Sequence, residues 1–529
     1  MLSALCILTI GSSAHAQEEA QATNYGLTES IGLLGAKDKG SFGSGVYRGT
    51  KRSELTALLK LIEQSQWVSM RPLVKNFLLT QADPSALTQD ILITKGEDLL
   101  TLRLSALLRM GYNREAFELY RKAADNKLDE PTIRTGVYAM LLNRQRGLAC
   151  LEVKTAFPKY KDISIWKKLN SYCEASLKNQ QKEIFEYTPE SFSALPMLKR
   201  AILSAEGNIS TDYITEKTIT TIPPQHIAIF LNQPINDLQR ALLLGAAIDY
   251  AIEPPNTLST FYDELFNQHD EERDIKGDIP VIQSSAATDD LITLARLYKE
   301  TKNSKDRAEK LSQAIDLANK YSDKLLIPFL PAISKLDIEK EISLEESLSI
   351  AHLYLYTADT ISKSWMKYLI KADFSDKNQK TTTQERLLIS LFLLYKNSND
   401  ALSNKVYKYL SSTSLHTSLT KDIKNIIENI DSPPTNSDKV RTKDINGFDL
   451  DIDKGYTMPP YRVLITLKQA SDDQDISVSL LLSSCILSKI DRQSTYIGTL
   501  GDIASALNKV GIKTAPRRII AQALMQAGK

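Results

Sequence analysis

Between Leu99 and about Lys182, small and apolar residues recur in short helical runs that come in pairs, and the pairs repeat. Leu107 ends one run and Gly111 interrupts it; Ala116, Tyr120 and Ala123 then mark one face of the next. Ala149 and Ala156 reproduce Ala116 and Ala123 at an offset of 33 residues. Two helices joined by a tight turn bury only one face against each other, so a unit of this length gains stability by stacking on its neighbours. This periodicity constrains the chain to an all-α fold. The sequence does not go on to say what the stacked surface holds.

The order of these residues resembles the tetratricopeptide pattern. In that pattern Leu107 is a first-helix core residue, Gly111 the glycine between helices, and Ala116, Tyr120 and Ala123 the contacts at the helix crossing; Trp166 falls near the aromatic position of the following unit. The resemblance implies an extended α-solenoid of tetratricopeptide-like antiparallel hairpins, whose usual product is a surface for binding proteins. The same texture returns elsewhere. Ser53 is the expected cap of a helix through Leu55, Leu58, Leu59 and Ile62, and another helix is expected over 72–79. Further helices are expected over 237–252, 291–321, 344–369, 387–395 and 401–410, and then at 478–487, 497–510 and 516–527, with Gly511 as a C-cap and Pro516 at a first helical position. Alternating strand patterns scarcely occur.

The punctuation divides the chain. Residues 1–16 read as a signal peptide and 17–51, rich in glycine and serine, as a flexible lead-in. Helical repeats fill 52–186 and 187–432, the second block interrupted near 205–224 by a threonine run and Pro223-Pro224 that read as a crossover. Residues 433–460, bracketed by Pro433-Pro434 and Pro459-Pro460, read as a linker or long loop, and 461–529 as a C-terminal helical segment.

Leu2 to Ile10 form an apolar run too short to span a bilayer, and Ala14 and Ala16 suit signal-peptidase cleavage before Gln17. The expected location is the periplasm, with no transmembrane segment in the mature chain. Cys6 is preceded by Leu5 where a lipoprotein needs a small residue, so lipidation is not expected. Export changes the reading of the remaining cysteines. Cys150 and Cys173 fall on neighbouring antiparallel helices joined by a turn at Phe157-Pro158, so they either form a disulfide or pack as two small core residues. Cys485, among Leu480, Leu481, Leu482 and Ile486, reads as core.

Of 529 residues, 65 are Lys or Arg and 64 Asp or Glu, a balance that gives no electrostatic reason to expect nucleic acid. The five histidines are scattered, and there is no His-Glu-x-x-His, Cys-x-x-Cys, Walker loop, Gly-x-Ser-x-Gly or dinucleotide fingerprint. Asp270-Glu271-Glu272, flanked by His269 and Asp274, is read as a solvated loop in preference to a divalent site. The carboxylates from Asp444 to Asp453 miss the glycine and glutamate positions of a calcium loop. Arg517 and Arg518 read as a solvated face. No cofactor, metal or catalytic residue is therefore expected. A peptidoglycan-acting enzyme resembling the lytic transglycosylases would want a C-terminal glutamate as general acid, and the last glutamate is Glu428. Such an enzyme with an unrecognised site, or a soluble carrier of hydrophobic ligands, remains as an alternative.

Several local patterns go further: Val46-Tyr47-Arg48-Gly49-Thr50 before the first helix, Leu102-Arg103 in the helix that ends at Gly111, Cys150 with Trp166 and Cys173, Trp365, and the closing segment from Ile503 to Ala527. Together they resemble a family of uncharacterised exported helical-repeat proteins of alphaproteobacteria. The resemblance implies an envelope protein of tandem helical fold and brings no activity with it. The expectation is an exported periplasmic scaffold or adaptor, not an enzyme, with a protein partner in the cell envelope.

Overall fold

A computed structural model describes residues 26–65, 67–177, 195–207, 209–252, 257–274, 285–336, 350–357, a few positions between 361 and 395, then 459–490 and 497–526. Among the described residues the protein is all-α, and extended residues pair only in isolated bridges such as Leu34 with Thr80 and Lys51 with Thr88. The first hairpins are α1 (Arg52–Leu61) with α2 (Met70–Leu79), α3 (Leu99–Arg109) with α4 (Asn113–Ala123), and α5 (Glu130–Leu142) with α6 (Arg146–Tyr160). They are followed by α7 (Ser164–Leu177), α8 (Met197–Glu206), the short α9 (Pro224–Phe230), α10 (Asp237–Asp249), α11 (Leu258–Asp274), α12 (Ala286–Asn303) and α13 (Arg307–Tyr321). After 3-10 turns at Asp323–Phe329 and His352–Leu355, the chain ends in α14 (Tyr461–Asp472), α15 (Ile476–Lys489), α16 (Ile497–Lys509) and α17 (Thr514–Gln526).

One turn geometry joins many of these helices. At Gly111, Arg144, Ala251, Gln474 and Gly511 the backbone turns left-handed, with φ between +51° and +86°. In each case the next residue's N–H reaches back to a carbonyl of the preceding helix: Tyr112 to Leu107, Gln145 to Met140, Ile252 to Ala247, Asp475 to Ala470 and Ile512 to Leu507, all within 2.8–2.9 Å. This is the Schellman closure, which satisfies carbonyls that a helix end leaves bare. Arg144 follows Gly111 by the same 33 residues as the repeated alanines, but only Gly111 and Gly511 announce the turn by residue type. A side chain in this conformation costs about 1–2 kcal/mol. Ala251→Gly should therefore stabilise the protein by about 0.5–1 kcal/mol, once glycine's own entropy is deducted, and Gln474→Gly by less, because it gives up the bond from Gln474 Nε2 to the Ser471 carbonyl (3.2 Å). Thermal unfolding of the two variants checks this. Arg144 is different, because its guanidinium donates to the Asn232 carbonyl.

The side-by-side row of first helices sets the architecture. α1 packs on α3, α3 on α5 and α5 on α8, while α4 and α6 pack behind. Leu107, Ala116, Tyr120, Ala123, Ala149, Ala156 and Trp166 are all buried in this core. A Cβ added to Gly136 of α5 would fall 2.3 Å from the Tyr120 ring, so the missing side chain is what lets α4 and α5 close at that point. Trp166 stacks on Tyr160 at 5.6 Å, and its Nε1 donates to Glu130 at 2.8 Å.

The row does not run as one open stack from the first hairpin to the last. α15 packs against α1 and α2, so the chain's C-terminal hairpins extend the row at its N-terminal end. Thr50 donates to Asp475 (2.7 Å), Ser477 to the Val46 carbonyl (2.8 Å), and the Val68 N–H to Gln522 (2.9 Å). The central helices join too. Arg71 of α2 reaches Asp249 at the end of α10, and the Tyr250 carbonyl accepts from Gln64 and Tyr112.

Several sequence expectations change here. Residues 26–51 are anchored at several points where a flexible lead-in was expected: Val46, Tyr47 and Thr50 are buried, and the Glu29 carboxylate takes both guanidinium N–H groups of Arg52 (2.8 and 2.6 Å) and the Leu99 N–H (2.9 Å). Ser53 does not cap α1. Lys51 holds that position, and Asp90, arriving from downstream, accepts from the Ser53 N–H and hydroxyl. The threonine run 218–221 winds into a 3-10 turn because Thr215 and Thr218 bond each other's hydroxyl and backbone groups. Residues 270–274 continue α11 as helix where a loop was expected. Arg518 is no solvated residue: it donates to the carbonyls of Tyr354, Leu355 and Thr357. Pro516 is the third helical residue of α17, still within the first turn, where its missing N–H costs nothing. The acidic run from Asp444 to Asp453, the 433–458 part of the expected linker and the expected helix over 401–410 lie outside the described residues, as do residues 1–25 with Cys6 and the cleavage position.

Cys150 of α6 and Cys173 of α7 are joined by a disulfide with Cα atoms 5.5 Å apart. The turn between these helices lies at residues 161–163, since α6 runs through Pro158 and ends at Tyr160. Proline there removes only one bond, near the helix end. The bridge spans 23 residues of sequence, and closing such a loop stabilises by about 3 kcal/mol in the chain-entropy account. Reduction should lower denaturant stability by about that amount. Cys150→Ser, Cys173→Ser and the double variant should give one common value, because either single change removes the whole bond.

Candidate binding cavity

The N-termini of α3 and α5 lie side by side, and the same four-residue device starts both. Asp98 caps α3 by accepting the Thr101 N–H at 2.9 Å, and Asp129 caps α5 by accepting the Thr132 N–H at 3.1 Å. The Thr101 and Thr132 hydroxyls bond each other, and Thr132 also donates to Asp129. Each aspartate thus spends one oxygen, Oδ1, on its own helix. The other oxygen, Oδ2, is buried and has no hydrogen-bond partner in either residue.

A cavity of about 260 Å³ opens at this place. Asp98 and Asp129 line it together with Leu100, Leu128 and Tyr160, and three lysines, Lys95, Lys127 and Lys159, stand around it. The lysines are exposed and follow one another at intervals of 32 residues, so each repeat contributes one. Glu130 also borders the cavity, but its carboxylate already holds Trp166 Nε1 (2.8 Å) and Arg134 (3.3 Å).

The charge in the cavity is layered by depth. Asp98 is only 2% exposed, and burial, reinforced by the nearby Asp129 and Glu29 charges against the opposing Thr101 hydrogen bonds, pushes its pKa up to about 6. At neutral pH Asp98 is therefore ionised but poorly solvated, an arrangement that favours an incoming hydrogen-bond donor or cation. Part of the carboxylate charge is offset by the positive ends of α3 and α5. A second, wider depression of about 550 Å³ lies at the turn before α6, between Arg144, Arg146 and Glu206. Its acidic group is already engaged, as Glu206 accepts from Tyr172 at 2.5 Å and pairs with Arg146 at 3.7 Å.

None of the residues singled out from the repeat pattern lines the 260 Å³ cavity. Leu107, Gly111, Ala116, Tyr120, Ala123, Ala149, Ala156 and Trp166 build the scaffold behind it, and Cys150 and Cys173 tie α6 to α7. The sequence did carry a signal for the cavity: Asp-x-x-Thr at 98–101 and again at 129–132, with the 32-residue lysine spacing around it. Among the described residues no group of three or more His, Cys, Asp or Glu side chains is arranged to hold a metal ion, and no helix is long and apolar enough to cross a membrane. No protein-family model matches the chain, and no curated protein or solved structure matches it.

Proposed function

We propose that this protein is an exported periplasmic scaffold or adaptor, related to the helical-repeat envelope proteins it resembles, that binds another protein of the cell envelope through the outer surface of its hairpins. The Cys150–Cys173 disulfide carries the reading. Such bonds persist in oxidising compartments and are rare in the cytosol, and this one fixes α6 and α7 against sliding. A binding surface is available beside it. α6 buries Ala149, Val153 and Ala156 along one face and leaves Leu148 (48% exposed) and Leu151 (62% exposed) outward, one turn apart. Apolar side chains at that spacing suit a protein contact.

The test has two arms. Protein recovered from a periplasmic fraction should begin at Gln17, and crosslinking in living cells from a photoreactive residue at position 151 should capture one predominant protein. Unprocessed chains beginning at Met1 in the cytosol would overturn export. Release of muropeptides from intact sacculi by the purified protein would overturn the scaffold reading in favour of an enzyme.

A further inference from the structure

The cavity between the α3 and α5 N-termini holds two buried carboxylate oxygens that the fold leaves without partners, Oδ2 of Asp98 and Oδ2 of Asp129. Buried acceptors in this state are costly, which makes them good recognition groups for a donor that arrives with a ligand. Around them stand the exposed residues Lys95, Lys127 and Lys159, the ammonium of the last lying 5.0 Å from the Tyr160 ring centre. We propose that the cavity binds an α-amino-acid unit, its ammonium held between Asp98 and Asp129 and its carboxylate by the three lysines.

The alternatives fit this lining less well. A bare metal cation meets two free carboxylate oxygens and three ammonium groups, too few ligands and the wrong surrounding charge. An inorganic anion would be drawn to the lysines but repelled by the carboxylates beneath them. A ligand carrying an ammonium and a carboxylate on the same carbon satisfies each layer at once. The volume agrees: about 260 Å³ lies below the range of about 300–1,000 Å³ usual for drug-sized ligands and suits a molecule of amino-acid size. Leu100, Leu128 and Tyr160 supply apolar wall for its side chain. The unit has two sources, a free amino acid or the amino-acid end of a larger molecule. The inference does not rest on the scaffold reading, since the cavity is lined by neither Leu148 nor Leu151.

Isothermal titration of the full chain with glycine, L-alanine, D-alanine and Nε-acetyl-lysine tests it, with methylamine, acetate and calcium chloride as partial probes. Binding by the amino acids at millimolar concentration or below, with at least tenfold weaker binding of methylamine and acetate, is the expected result. A preference for Nε-acetyl-lysine over glycine would assign the larger source, and the reverse the free amino acid. Asp98→Asn keeps the helix cap, since asparagine caps as well as aspartate, and should weaken binding about tenfold or more. Lys127→Met, an exposed change, should weaken it as well without moving the thermal midpoint. No heat from any amino acid, equal binding of methylamine, preferential binding of calcium, or unaltered affinity in a folded Asp98→Asn protein would overturn the proposal.

Discussion

Glu29→Ala should lower the stability of the protein by about 3–5 kcal/mol, read as a fall in the urea midpoint. The size comes from what the change strands. Arg52 is 2% exposed, and its two terminal nitrogens end on the Glu29 carboxylate, with only Nε bonded elsewhere, to Gln89 at 2.6 Å. Removing the carboxylate leaves a guanidinium buried without its counter-charge and the Leu99 N–H without its acceptor. Arg103, fully buried nearby, depends on the same stretch of backbone, since it donates to the Glu29 carbonyl. That guanidinium donates to the carbonyls of Leu78 (2.6 Å), Ile31 (2.8 Å), Glu29 (3.2 Å) and Thr80 (3.2 Å), so one side chain pins the leading segment to the end of α2. A double change, Glu29→Met with Arg52→Met, should recover a large part of the loss, because an apolar pair strands nothing. If the double variant is as unstable as Glu29→Ala, the effect belongs to packing and not to the stranded charge.

Gly111→Ala should destabilise the protein by about 2–5 kcal/mol in chemical denaturation. Two independent penalties meet at this residue. Its φ of +84° lies in the left-handed region, which costs a side-chain-bearing residue about 1–2 kcal/mol. The added Cβ would also stand 2.8 Å from the Pro224 carbonyl oxygen and 2.9 Å from the Gln225 Cα, both backbone atoms at the start of α9. Backbone cannot swing aside as a lysine tip can, and overpacking of this kind costs about 1–3 kcal/mol. Gly511→Ala is the matched control. It has a φ of +86° but nothing within 4 Å of the added carbon, so it should show the conformational penalty alone. Equal losses in the two variants would remove the close approach of α9 from the account.

The contrast between these positions shows how far the sequence could be read. Helices were legible because apolar spacing is a local property, and Gly111 and Gly511 marked their turns because glycine is the usual residue there. Arg144, Ala251 and Gln474 adopt the same turn with no local sign, held by the bonds across it. Glycine and serine in residues 26–51 promised looseness, but order there is imposed by Arg52 and Arg103, whose long side chains act across 23 to 74 residues of sequence. Of the cavity, the repeated Asp-x-x-Thr and the spaced lysines could be read. What could not be read was that the α3 and α5 N-termini adjoin, leaving one oxygen of each aspartate unbonded, because adjacency is a property of the packed row.

The C-terminal hairpins seat on α1 and α2, through bonds between residues 425, 431 and 454 positions apart. A ribosome adding about 5–20 residues per second needs tens of seconds to pass from Thr50 to Gln522. Through that interval the α15-facing sides of α1 and α2, and beside them the Val46 carbonyl and the Val68 N–H that bond Ser477 of α15 and Gln522 of α17, have only solvent or a chaperone to meet. The first helices made are thus among the last to be finished, and a nascent chain halted before residue 476 should stay sensitive to protease at its own N-terminal hairpin. Loops this long close slowly, so docking of the two ends is the natural slow step of folding.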